Sequence, residues 1–344
     1  MQIRQTNQGF NFEKYPTFEK DIDPKQRAWI EVRGEALETN VRKLRSKLIK
    51  SCQFMAVVKA DGYGHDAKLV SEYAIKGGAS QLGVATLKEG IKLRSSGIKK
   101  PILILGNLYT KRDLIIAFKN DLMPTMSSLR ECLICNNIGN HFGLKFSLHL
   151  KVDTGMSRLG FEWNKFVQQF EKIKSFEHIS IEGIYSHLSS ADEVNASNPK
   201  SITQLQRQKF KELLNQINVD RNHNIKIHLA NSAGMLLNKD FHFDMVRVGL
   251  SMYGYSPIGK MDNNLSLKPA LFLKVKVAFI RIIDPGVSVS YGGKFVSSKK
   301  TKLAVLSIGY ADGVPRNLSG KINAIYKNKL YPQVCSITMD QMMV

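Results

Sequence analysis

Lys59 closes the apolar run FMAVV and is followed by Ala-Asp-Gly-Tyr-Gly-His. A lysine at the end of a buried strand loses water, and that loss lowers its pKa and frees the amine for Schiff-base chemistry. A rim lysine held in an ion pair would have the same sequence, and this residue alone does not choose between the two. A second run, HLKVDTGMSRLG, places Lys151, Asp153 and Arg158 beside turn glycines. His187 ends IEGIYSH, and Asn231-Ser232-Ala-Gly234 follows IKIHLA, where a helix start could hold a phosphate. Arg247-Val-Gly249 ends MVRVG. A strand-end His or Arg taken singly reads as structural. Together these groups form a polar ring that suits an anionic ligand and a reactive lysine.

Such a ring needs a scaffold that brings strand ends together. Short apolar runs recur at 54–60, 82–86, 101–106, 122–126, 146–152, 181–187, 225–230 and 245–249, separated by longer amphipathic segments. Strands alternating with helices make a parallel sheet, and eight repeats favour closure into a β/α (TIM-like) barrel. Chemistry then sits at the C-terminal strand ends. After about residue 260 the texture changes to β-rich runs (272–283, 287–292, 302–310, 321–326) broken by Asp-Pro-Gly, Gly-Gly and Asp-Gly. These predict a second, mainly antiparallel β domain. The expected layout is a flexible extension over 1–27, the barrel over 28–260 and the β domain over 261–344. Within it, 28–35 (beginning AWIEV) forms a strand that joins the β domain.

Composition narrows the class. The chain has 344 residues with 43% hydrophobic and 23% charged, which are globular proportions. Fifty Lys+Arg against 29 Asp+Glu give +21. The lysines are scattered along helical stretches without interleaved aromatics, so they read as a solvated surface and no nucleic-acid partner is expected. Cys132 and Cys135 have the CxxC spacing, but no second pair or His cluster completes a zinc site. They read as small apolar residues one helical turn apart, and no metal is expected. Four cysteines suit a reducing compartment. The N-terminus lacks an apolar signal core and no run approaches the ~20 residues of a membrane span, so a cytoplasmic chain without a membrane partner is expected.

AVVKADGYGH, HLKVDTGMSRLG, GIYSHLSSAD, HLANSAG, DMVRVGLSMYG, VSYGG, SIGYADG and MDQMMV, in this order over about 28–344, resemble the alanine racemase family. That family consists of fold-type III pyridoxal-phosphate enzymes with an N-terminal barrel and a C-terminal β domain. The resemblance implies interconversion of L-alanine and D-alanine, the latter supplied for peptidoglycan precursors. Lys59 would hold pyridoxal 5′-phosphate as a Schiff base. Two acid–base groups on opposite faces are implied, Lys59 for the D enantiomer and Tyr291 for the L enantiomer. Tyr291 would enter the active site of the other subunit of a homodimer.

The remaining roles are implied in the same way. His187 matches the histidine that hydrogen-bonds this tyrosine, and Arg247 the arginine facing the pyridine nitrogen. Tyr63, Ser232, Gly249 and Leu250 match phosphate-binding positions, the last two through main-chain N–H groups. Arg158 matches the arginine that orients the substrate carboxylate, with the N–H of Met339 from the partner subunit. Lys151 matches a lysine that many members carry as a carbamate. Asn231 and Asp340 fall in supporting positions, Asp340 lining the entry from the second subunit. Family members continue for some tens of residues past MDQMMV, including a late tyrosine that binds the phosphate. The β domain is therefore expected to be incomplete and the chain a fragment. A decarboxylase of the same fold type would lack the TGMSRLG and MDQMMV pair and would place an acid opposite the pyridine nitrogen.

Overall fold

The computed structural model describes residues 26–218, 225–258 and 265–344. Of the extension expected over 1–27, all but Gln26 and Arg27 lies outside the described residues. The chain divides into two compact units, one spanning Arg33–Ala270 and the other joining the residues up to Val32 with Leu271–Val344.

The strands are, in order, β1 (Ala28–Val32), β2 (Gln53–Val57), β3 (Gln81–Val84), β4 (Ile102–Ile104), β5 (Leu122–Met126), β6 (Phe146–Asp153), β7 (Phe161–Glu162), β8 (Ile179–Tyr185), β9 (Lys226–His228) and β10 (Met245–Val248). β11 (Leu271–Val275), β12 (Val277–Ile283), β13 (Ser288–Val289), β14 (Phe295–Val296), β15 (Thr301–Leu306), β16 (Asn323–Tyr326), β17 (Lys329–Pro332) and β18 (Met342–Met343) follow.

In the Arg33–Ala270 unit, the parallel order β10-β2-β3-β4-β5-β6-β8-β9 contains all eight apolar runs, with the two-residue β7 on the flank of β6. Backbone bonds from the N–H of Asp244 to the carbonyl of Ile227 and from Arg247 to Ala230 draw the last strands together, so the barrel is nearly closed. Each run is apolar because both its faces are covered, by helices outside and by other strands inside. Met55, Leu103, Tyr185 and Met245 fill the interior as one buried cluster. Several outer helices start on side-chain caps, among them Thr86 and Thr110, each in a reciprocal box with the acid three residues on. Cys132 and Cys135 are fully buried on the helix Leu129–Phe142, and burial raises both thiol pKa values.

The second unit is antiparallel. β12, β15 and β18 form one sheet, β1 pairs with β11, and β13 with β14. The run expected over 272–283 is two strands, interrupted at Lys276. The sequence reading missed β17, which closes a hairpin with β16 through Lys327 and Asn328 at φ 46° and 60°. Two consecutive left-handed residues give a turn whose twist matches its strands. Leu306, Ile308, Val314, Ile337 and Met342 make its core.

Candidate active site

Lys59 lies two residues beyond β2, on a turn of unusual hand. Ala60, Asp61, Gly62 and Tyr63 have φ between 51° and 65° and ψ between 36° and 52°. Only Gly62 adopts that conformation freely; each of the other three costs about 1–2 kcal/mol, so surrounding contacts must hold them. The turn carries Lys59 out of the sheet, and its side chain is exposed. The desolvation expected of Lys59 is therefore not found there. It falls on Lys151, only 6% exposed, whose pKa drops to about 8 through burial, then through Arg158 and Arg247 nearby.

Lys59, Tyr63, Lys151, Arg158, His187, Asn231, Ser232, Arg247, Gly249 and Leu250 all line one cavity of about 520 Å³ at the C-terminal ends of the barrel strands. Among the described residues that line it, four are cations (Lys59, Lys151, Arg158, Arg247) and one is a carboxylate, Asp192. That imbalance suits a ligand carrying several negative charges.

Arg247 is the buried centre of this wall, 3% exposed. Its Nη2 donates to the carbonyls of Ser186 (2.6 Å) and Leu229 (3.1 Å) and meets His187 Nδ1 at 3.1 Å. Its Nη1 meets His228 Nδ1 at 3.0 Å. Among the described residues no carboxylate pairs with it. Burial lowers its pKa to about 10, which leaves it charged at neutral pH. A guanidinium only donates, so both imidazole Nδ1 atoms must accept, and both Nε2 atoms carry the hydrogen. His228 Nε2 then donates to His149 Nδ1 at 2.9 Å, and His149 Nε2 is a buried N–H with no partner among the described residues. All three rings are held neutral: burial, then Arg247, pushes His187 and His228 well below the usual value and His149 to about 3.

Register puts this cluster together. Lys151 of β6, Tyr185 of β8 and His228 of β9 are paired across the sheet. The Tyr185 ring stacks on His228 at 4.7 Å, lies 4.9 Å from the Arg247 guanidinium, and its hydroxyl meets Thr125 Oγ1 at 2.9 Å. His149 faces Gly183, where an added Cβ would meet its Nδ1 at 2.4 Å. Sequence reasoning missed Tyr185, His149 and His228. The available signal was three polar-tipped rings at inward positions of otherwise apolar strands.

The opposite wall has small polar groups. Ser232 Oγ accepts from the N–H of Gly249 (3.1 Å), and Asn231 caps the short helix Ser232–Leu237 through the Gly234 N–H. A Cβ at Gly249 would meet the Tyr63 hydroxyl at 2.5 Å, so glycine lets backbone and hydroxyl converge. Tyr63, Ser232 and the backbone at 249–250 fit a phosphate cradle by donor chemistry.

Tyr291, Met339 and Asp340 belong to the second unit. Tyr291 is 74% exposed and follows Ser290, which has φ 59°. Met339 is exposed, and its carbonyl accepts from the Ala311 N–H. Arg27 donates to the Asp340 carbonyl at 3.1 Å and pairs with Asp312 at 2.6 Å. Among the described residues no group of His, Cys, Asp and Glu is arranged to hold a metal, and no helix is long and apolar enough to cross a membrane.

Residues 32–257 match the family described as alanine racemase, N-terminal domain, and residues 270–344 match alanine racemase, C-terminal domain. An alanine racemase of Prochlorococcus marinus is 48% identical over 323 residues, 94% of this chain and 83% of that protein. The solved alanine racemase of Clostridium difficile superposes with a TM-score of 0.83 at 32% identity, covering 93% of this chain and 83% of its own. That of Bartonella henselae, with covalently bound pyridoxal phosphate, superposes with a TM-score of 0.81 at 30% identity, over 92% and 85%.

Proposed function

This chain belongs to the alanine racemase family, whose members depend on pyridoxal phosphate; from that premise we propose that it interconverts L-alanine and D-alanine with Lys59 and Tyr291 as its two acid–base groups. Its reaction is thus an isomerisation, and D-alanine for peptidoglycan precursors is the product that the family implies. The observation that carries the reading is the cavity itself: Lys59, Arg158 and Arg247 on one wall system, with four cations against one carboxylate among its described lining residues.

Bound pyridoxal phosphate would supply an electron sink for the charge left when the substrate Cα loses its proton. Lys59 would hold it covalently, and Tyr63, Ser232 and the N–H groups of Gly249 and Leu250 would hold its phosphate. Arg247 would face the pyridine nitrogen. A donor-only guanidinium there would leave that nitrogen unprotonated, which would restrain the sink and disfavour transamination. Arg158, with the Met339 N–H of a second subunit, would fix the substrate carboxylate by charge-assisted bonds. Asn231, which caps the helix start, would support the phosphate site, and the partner subunit's Asp340 would line the entry.

Racemisation needs a proton taken from Cα on one face and returned on the other. Lys59 Nζ would serve one face and Tyr291 Oη of the other subunit the opposite one, which makes the active enzyme a homodimer. A phenol at its ordinary pKa of about 10 is a poor base at neutral pH. His187 supplies a remedy, because Arg247 occupies its Nδ1 and leaves Nε2–H as a donor. Donation from a neutral ring to the tyrosine oxygen favours the phenolate without adding an acid that would quench it. Lys151, with a pKa of about 8, is about one-tenth neutral near pH 7 and able to add carbon dioxide, releasing a proton. The resulting carbamate would bring a negative charge among Arg158, Arg247 and Lys59. All four cysteines are free thiols and buried, which suits a cytoplasmic enzyme.

The test is conversion of L-alanine by the full chain with added pyridoxal phosphate, followed as loss of optical activity. Lys59→Ala and Tyr291→Phe should each abolish it. Undiminished conversion in Lys59→Ala, or none in the unmodified chain, would overturn the reading.

A further inference from the structure

Glu89 accepts three backbone N–H groups: Ala60 on Oε1 at 2.7 Å, and Ala85 and Thr86 on Oε2 at 2.7 and 3.1 Å. The capping box of the helix Leu87–Ser95 requires only the Thr86 bond. The other two reach outside the helix, to the end of β3 and to the residue after Lys59. Ala60 opens the left-handed turn, 29 residues from Glu89 in sequence. The same helix grips the next residue as well, through Lys92 Nζ to Asp61 Oδ1 at 2.9 Å. Two successive left-handed residues behind Lys59 are thus tied to one rigid element.

We propose that Glu89 is a positioning residue for Lys59: its carboxylate fixes the start of the left-handed turn and so sets where the Lys59 amine is held. The proposal rests on the reading of Lys59 as the amine that carries the cofactor and moves a proton. Non-glycine residues do not keep a left-handed conformation by local preference, so something outside the turn must hold it. A misplacement on the order of 1 Å at a reacting group can cost about a hundredfold in rate. Glu89→Gln isolates the effect. Its single carbonyl oxygen keeps the pair of bonds to Ala85 and Thr86, and the amide NH₂ then opposes the Ala60 N–H, donor against donor. Thr86→Ala weakens the same helix cap and leaves Ala60 untouched.

Amide hydrogen exchange of the segment 58–66 in the cofactor-free chain reads the tie directly. It should quicken about tenfold in Glu89→Gln and stay at the unmodified rate in Thr86→Ala. In the chain loaded with pyridoxal phosphate, Glu89→Gln should lower kcat about 10- to 100-fold with KM for alanine within about twofold. Unchanged exchange at 58–66, equal quickening in both variants, or a shift in KM alone would overturn the proposal. A wild-type chain that fails to racemise alanine would count against the function proposed above, and the exchange comparison would still decide the role of Glu89.

Discussion

Acid should unfold the barrel through its buried imidazoles, and the size of the effect follows from the cluster around Arg247. His149, His187 and His228 are held neutral in the fold, with pKa values pushed to about 3 for His149 and well below the usual value for the other two. Unfolded, each returns to about 6.5. Between the folded and unfolded values the unfolded chain binds more protons. The stabilisation is therefore fully present above about pH 6.5 and is lost as pH falls toward the folded pKa. At about pH 5, a ring moving from 6.5 to about 3 costs about 2 kcal/mol relative to neutral pH. That figure hardly changes if the folded value is a unit higher, because at pH 5 the native ring stays neutral either way. His187 and His228, also held neutral, add losses of the same sign to a total stability that is typically ~5–15 kcal/mol for a domain. Lys151 does not enter this window, since it is protonated in both states below its pKa of about 8.

The assay is urea unfolding near pH 7.5 and near pH 5, followed by Trp163 fluorescence in a Trp29→Phe background. Trp163 opens the helix Trp163–Lys174 of the barrel unit, so it reports that unit. His149→Phe should remove about 2 kcal/mol of the acid loss. Equal stability at both pH values, or the same acid loss in His149→Phe, would refute the neutral-imidazole chain and with it the tautomers assigned to His187 and His228.

Gly249→Ala should displace the Tyr63 hydroxyl, which the new Cβ would meet at 2.5 Å, and raise the dissociation constant of pyridoxal phosphate about tenfold or more. Affinity for pyridoxal, which has no phosphate, should not move; equilibrium binding of the two compounds checks this. Arg247→Lys replaces a planar fork serving four acceptors with an ammonium of three donors. It should destabilise the barrel by about 1–3 kcal/mol in the same urea assay, because at least one buried acceptor is left unpaired.

Local pattern carried much of this protein. Both faces of each barrel strand are covered, so eight apolar runs stand out, and turn residues after each run mark where side chains meet a cavity. Lys59, Arg158, His187 and Arg247 were legible because strand-end positions converge in any closed parallel barrel, and the family motifs follow those same ends. Glu89 was legible only as the last residue of a Thr-Leu-Lys-Glu helix cap; its bond to Ala60 joins segments 29 residues apart. The hairpin strand β17 was missed because its turn, Lys327-Asn328, lacks the glycine that usually announces one.

The chain's own residue order thus determined which strands form, what chemistry their ends carry and which family they belong to. Tertiary structure decided the protonation of the site. The desolvated amine is Lys151, since the left-handed turn swings Lys59 into solvent while β6 keeps Lys151 in the wall. The chain of neutral imidazoles joined by the charged Arg247, from His187 through His228 to His149, draws its members from β6, β9 and β10 and from the residues just beyond β8. It exists because register sets those rings at one depth and Gly183 leaves the space that His149 fills. Depth and register are properties of strands paired across the barrel, and no single segment of sequence contains them.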